Sequence, residues 1–112
     1  MSNIDRIAQI LENSTKETVA NTYNVTMTLA DTQYSQVLPD GTKSITYGVQ
    51  GGVSTDSYRT AFITGKVATP TAPYESLLGD VVVNKDGLNL VGKTLYFASS
   101  AAGKVMQIRT YS

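Results

Sequence analysis

The sequence predicts an all-β protein: an antiparallel β-sandwich, jelly-roll-like, of about seven to eight short strands, preceded by a short N-terminal amphipathic helix. Three observations carry this expectation. From Tyr23 onward apolar side chains recur at every second residue, as in Tyr23-Asn24-Val25-Thr26-Met27. Turn-forming groups, among them Pro39-Asp40-Gly41, Gly51-Gly52 and Asp86-Gly87, punctuate these runs at the spacing of a sandwich or barrel. Helical periodicity is confined to residues 2–12. The division that follows is an arm and linker over 1–21 and a sandwich domain over 22–112. Alternation says which residues share a face; it does not say which strands are neighbours.

The elements follow in order. Ser2 and Asp5 fit a capping-box variant, and Asp5 sits where a helix dipole favours a carboxylate. Ile4, Ile7, Ala8 and Leu11 recur at helical spacing, with Ile10 beside them. A helix of about three turns is marginal alone in water, so its stripe needs something to lie on. Residues 13–21 are polar and connect. Tyr23, Val25, Met27 and Leu29 then form the buried side of a first strand. A short extended piece is expected at 34–37, and Ile45, Tyr47 and Val49 share one face of the next strand. Gly48, Gly51 and Gly52 suggest a bend or bulge.

Tyr58–Thr64 reads as a strand. The long connection after it contains Pro70 and Pro73, which keep it extended and exclude a helix. Val81–Val83 suits a buried strand, and Asp86-Gly87 suits a hairpin turn. Thr94–Ser99 and Lys104–Tyr111 are expected as a closing hairpin through Ala101-Ala102-Gly103. On its last strand Met106 and Ile108 face inward, and Val105, Gln107, Arg109 and Tyr111 outward.

Composition narrows the chemistry. A chain of 112 residues builds one core. Nine basic and nine acidic residues cancel, with no basic run to attract nucleic acid. Histidine and cysteine are absent, which removes disulfides, the usual zinc ligands, thiol chemistry and the commonest general base. Residues 1–16 lack the basic and apolar regions of a signal peptide, and no apolar run is long enough to span a membrane. The sequons at Asn13 and Asn24 are expected by chance in a Thr-rich chain.

Candidate catalytic and metal groupings are weak. Ser99 and Ser100 precede Lys104, but turn-forming serines and a solvated lysine explain them. Asp80 and Asp86 straddle a strand and Glu75 lies in the loop before it, but with nine acidic residues some fall near one another by chance, so they do not mark the carboxylate pair of glycoside chemistry. Asn84, Asp86 and Asn89 fall short of the regular acidic spacing of a calcium loop. The glycines at 48–52 match no phosphate-binding fingerprint. No cofactor or metal is expected, and an enzyme is the least favoured class.

Seven tyrosines without a tryptophan are the unusual feature of the composition. Tyr23, Tyr47 and Tyr58 occupy alternating strand positions and are expected in the core or at its rim. Tyr34, Tyr74 and Tyr111 read as loop or terminal residues available to another chain, since tyrosine is enriched at interfaces.

The stretches TQYSQVLPDGTKSITYGVQGG, YRTAFITGKVATPTAPYESLLGD and LYFASSAAGKVMQIRTYS resemble a group of small proteins encoded among bacteriophage virion genes. That group carries Y-S-x-x-L-P-x-G-T-K, then T-G-K-V-A-x-P-x-x-P-Y, then L-Y-F-A-S-S-x-A-G-K-V. The resemblance spans residues 32–112, with GKVATPTAPY at 65–74 its most specific part, and leaves the N-terminal helix outside. Where the group tends to end in Trp-Ser, this chain has Tyr111-Ser112, which keeps an amphipathic aromatic there.

The resemblance implies a non-enzymatic structural part of a phage particle, made in the host cytoplasm and located in the virion. The specific expectation is a capsid decoration or cement protein on the major capsid protein. Neck, tail or fibre-base components and a carbohydrate-binding sandwich are the alternatives. A homo-oligomer is expected, with a trimer favoured by capsid three-fold positions. Nucleic acid and membrane are not expected partners. The expected protein interface comprises Ile4, Ile7, Leu11, Tyr34, Tyr74, Val105 and Tyr111.

Overall fold

The structure, a computed structural model, describes residues 20–112. The expected helix, with Ile4, Ile7 and Leu11, lies outside the described residues. Eight antiparallel strands follow: β1 (Ala20–Met27), β2 (Tyr34–Val37), β3 (Ser44–Gln50), β4 (Ser57–Ala61), β5 (Glu75–Leu78), β6 (Val83–Lys85), β7 (Thr94–Ser99) and β8 (Lys104–Tyr111). They form two four-stranded sheets. The first has the order β1-β8-β3-β6 and the second β2-β7-β4-β5. The pairing is nested: β1 pairs β8, β2 pairs β7, β3 pairs β6 and β4 pairs β5. The chain therefore changes sheet at every connection except β4 to β5.

The alternating residues supply the core. Met27, Ile45, Tyr47, Met106 and Ile108 from the first sheet meet Tyr58, Leu95 and Phe97 from the second, all buried, with Leu38 beside them. Tyr23, Val25, Val49, Leu77 and Val83 pack around this centre. The first strand begins at Ala20, paired with Tyr111, so Ala20 and Asn21 belong to the sheet rather than to a connection. The inward and outward assignments on β8 hold: Met106 and Ile108 are buried and Arg109 is exposed.

Several local expectations fail, each for a tertiary reason. Leu29 lies beyond the end of β1 and is 61% exposed. The strand expected to reach Thr64 stops at Ala61, leaving Phe62 and Ile63 exposed. Val81 and Val82 are exposed, and β6 begins only at Val83. Val82 instead lies over Gly48 on the outside of the first sheet, where a Cβ would come within 3.0 Å of Val82 Cγ2. Gly48 is accordingly neither a bend nor a bulge: it keeps regular register opposite Gln107. Asp86-Gly87 does not turn a hairpin, because β6 and β7 belong to different sheets.

The closing hairpin is also absent, since β7 and β8 lie in different sheets. The backbone shows how the chain crosses. Ser100 N donates to Ser57 O (2.9 Å), extending the second sheet, and Gly103 N donates to Met27 O (2.8 Å), extending the first. The transfer takes place at Ala101-Ala102, with Gly103 in the left-handed region (φ 76°) that glycine adopts freely.

The connection over residues 62–74 covers the outer face of the second sheet. Val67 is fully buried and its carbonyl accepts from Arg59 Nε at 2.6 Å. Arg59 Nη2 also pairs with Asp31 Oδ1 at 2.8 Å. Gln33 ties the same loop down, accepting from Gly65 N (2.7 Å) and donating to Thr64 Oγ1 (3.1 Å). This explains why Arg59 and Ala98, paired on the outer side of that sheet, are buried.

Gly52 and Gly79 touch backbone to backbone at the other end of the sandwich; a Cβ at Gly52 would be driven into the Gly79 carbonyl. Gly52→Ala should therefore lower stability by about 1–3 kcal/mol, the usual cost of forced overpacking. Urea unfolding of the two proteins checks this, and equal midpoints would refute the close approach.

Candidate functional site

The open edges of the two sheets stack where β5 ends one sheet and β6 ends the other. Glu75 opens β5 and pairs with Thr60 on β4, so its side chain shares the inward side of that sheet with Thr60. Lys85 closes β6 on the same side as Val83 and opposite Ile45. Strand alternation thus turns a carboxylate and an ammonium toward the space between the sheets, at its rim. Their separation is 3.6 Å (Glu75 Oε2 to Lys85 Nζ), with both side chains partly solvated. Such an exposed pair contributes little stability by itself, but inward-pointing charges on edge strands oppose edge-to-edge aggregation.

Beneath them lies a hydrogen-bonded group. Tyr47 of β3 is buried, and its hydroxyl donates to Glu75 Oε1 at 2.6 Å, across from one sheet to the other. Thr60 Oγ1 donates to the same oxygen at 3.2 Å and lies 3.3 Å from the Tyr47 hydroxyl. Glu75 Oε2 receives neither bond and pairs with Lys85 Nζ. Phe62, Ile63, Pro73 and Tyr74 wall the space above, and together these residues enclose a cleft of about 320 Å³. Phe62, Ile63 and Tyr74 are each well exposed, so the wall is an apolar rim around a polar floor.

The floor shifts its own titrations. The Tyr47 hydrogen bond, helped by Lys85 and Thr60, holds the Glu75 carboxyl below its ordinary value of 4.5 against a smaller opposing effect of burial. Burial first, and then the bond to the Glu75 carboxylate, push the Tyr47 phenol up. Tyr58, whose hydroxyl donates to Val81 O at 2.5 Å, is pushed up to about 12, chiefly by burial. At neutral pH the floor holds Glu75 as a carboxylate and Tyr47 as a neutral phenol. It presents hydrogen-bond acceptors and donors to the opening. Among the described residues no group of three or more acidic side chains is placed to hold a metal ion.

The residues expected at an interface are dispersed. Tyr74 is 40% exposed on the cleft rim. Tyr34 is not a loop residue: it lies in β2, packs against the core, and its hydroxyl accepts from Leu29 N at 2.9 Å. Val105 and Tyr111 are half-buried in β8 on the outer side of the first sheet. Tyr111, Arg109, Gln107, Thr46, Gln50 and Val82 line a shallow polar groove of about 270 Å³ there. Tyr74 and Tyr111 therefore belong to different surfaces. Sequence reasoning noted Glu75 only as a possible member of an acid pair and passed over Lys85, Phe62 and Ile63. The one available signal was a charge at an inward position of a short edge strand.

The chain matches no family model, and no curated protein or solved structure matches it.

The titration shifts carry a testable sign. A carboxyl held low in the folded state contributes stability above its unfolded value, and that contribution is lost as pH falls through the lower folded value. Tyr47→Phe should move the Glu75 pKa up toward 4.5 and reduce the stability lost between neutral pH and acid. A carbon-detected NMR titration of the carboxyl reads this directly; an unmoved Glu75 would remove Tyr47 as the cause.

Proposed function

We propose that the protein is a non-enzymatic structural component of a bacteriophage particle, a decoration protein that binds the major capsid protein. The observation that carries this reading is the nested pairing of eight strands into two four-stranded sheets. That order supports a jelly roll, an architecture used by viral capsid domains and by lectins. Fold alone assigns no function; the resemblance of residues 32–112 to phage virion proteins supports a place in the particle, and small size, balanced charge and the absence of cysteine suit a capsid decoration protein.

The surface suits such a role. The outer side of the first sheet is broad and mostly uncharged, with Thr26, Asn24, Gln50 and Gln107 around Val105 and Tyr111. In this proposal it faces the capsid protein, Tyr111 supplying an amphipathic anchor, and three copies meet at a lattice three-fold. In this proposal the apolar residues Ile4, Ile7 and Leu11, which precede the first strand in the sequence, supply a second contact.

Purified protein mixed with particles lacking it, then sedimented and counted by mass spectrometry, tests the assignment. A copy number that scales with the capsid subunit is expected. A small fixed number per particle would move the protein to the neck or tail, and no binding would sink the virion reading. Removing residues 1–13 leaves every described strand intact, so the truncated chain should keep its thermal transition and bind fewer copies. A loss of folding cooperativity equal to the loss of binding would refute a separate arm.

A further inference from the structure

We propose that the cleft between β5 and β6 is a binding site for a single neutral sugar ring, which stacks on Tyr74 and bridges Glu75 and Lys85 through neighbouring hydroxyls. This inference is independent of attachment to a particle. It starts from the mismatch between rim and floor. An exposed ion pair protecting two sheet edges requires no apolar surround, yet Phe62, Ile63 and Tyr74 stand 37%, 50% and 40% exposed around this one. A concave apolar wall with a few convergent polar groups is the general form of a small-molecule site.

The charges select the ligand. Glu75 opposes an anion and Lys85 opposes a cation, so the occupant is neutral. A purely apolar occupant would take the partly solvated carboxylate and ammonium out of water and give them nothing in return. Both bonds from Tyr47 and Thr60 go to Glu75 Oε1, which leaves Oε2 free to accept a further hydrogen. Lys85 Nζ sits 3.6 Å from Oε2, and an ammonium has three hydrogens to donate. A hydroxyl that donates to Oε2 beside another that accepts from Nζ satisfies both groups. A sugar presents such adjacent hydroxyls on one edge and an apolar C–H face for the Tyr74 ring. The volume, about 320 Å³, lies at the small end of ligand pockets and fits a short saccharide end rather than a long chain.

The Tyr47 and Thr60 bonds fix the carboxylate before any ligand arrives, which lowers the ordering cost of binding. Both residues lie on strands flanked by two neighbours, so the floor is rigid while the rim lies on the 62–74 connection.

Saturation-transfer NMR on the full chain, with D-glucose, D-galactose, D-mannose and N-acetyl-D-glucosamine as probes, tests the site. At least one probe should bind weakly and shift the amide signals of Tyr74, Glu75 and Lys85. Tyr74→Ala should weaken it about tenfold, the order expected for a lost stacking partner, with an unchanged melting temperature. Lys85→Ala should weaken the same probe, and because Lys85 is partly exposed it serves as the check if Tyr74→Ala misfolds. Silence from all four sugars, amide shifts confined to another surface, or undiminished binding in both variants would overturn the proposal.

Discussion

Two strands hold this sandwich together, and they are the last two in the sequence. β8 lies between β1 and β3, and β7 lies between β2 and β4. Like β3 and β4, each has backbone groups paired on both sides, and an unpaired peptide group in a buried sheet is costly. Without β8 the first sheet has no link between β1 and β3; without β7 the second has no link between β2 and β4. Because every pair of successive strands except β4 and β5 is divided between the sheets, neither sheet assembles from a continuous stretch of chain. Folding therefore depends on pairings between residues far apart in sequence, such as Ala20 with Tyr111, the kind of topology that folds slowly.

The same constraint leaves edges, and the edges explain the remaining surface. β1 and β6 border one sheet, β2 and β5 the other. At the β5 and β6 border the inward-facing Glu75 and Lys85 replace core side chains, and Tyr47 reaches across from the first sheet to anchor the carboxylate. A bond between sheets at this point resists their splaying apart. It also fixes a polar group at the base of a cleft.

The 62–74 connection has a comparable double part. Its far portion is pinned to the outer face of the second sheet by Arg59, Asp31 and Gln33. Its two ends carry Phe62, Ile63 and Tyr74 to the cleft rim. The loop that joins neighbouring strands in one sheet is thus long because it covers one surface and walls another. The capsid contact proposed for the first sheet and the sugar site proposed at the cleft lie on different surfaces, so one does not exclude the other.

The sequence by itself determined the class of the fold, the two-residue period that separates Met27, Tyr47, Tyr58, Met106 and Ile108 from the outward residues, and the turns at Pro39-Asp40-Gly41 and Gly103. Those features are local: side-chain alternation and left-handed backbone are properties of a few consecutive residues. Tertiary structure alone decided the partners. Nothing in Thr94–Tyr111 distinguishes a hairpin from two strands divided between sheets, because both expose the same alternation. The difference rests on Ser57 and Met27, distant residues that receive the backbone bonds of Ser100 and Gly103. Val82 reads as core until Gly48 is placed beneath it. The cleft was illegible for the same reason, since Tyr47, Glu75 and Lys85 come from three strands in two sheets, and only the stacking of those sheets brings a carboxylate, an ammonium and a phenol to one opening.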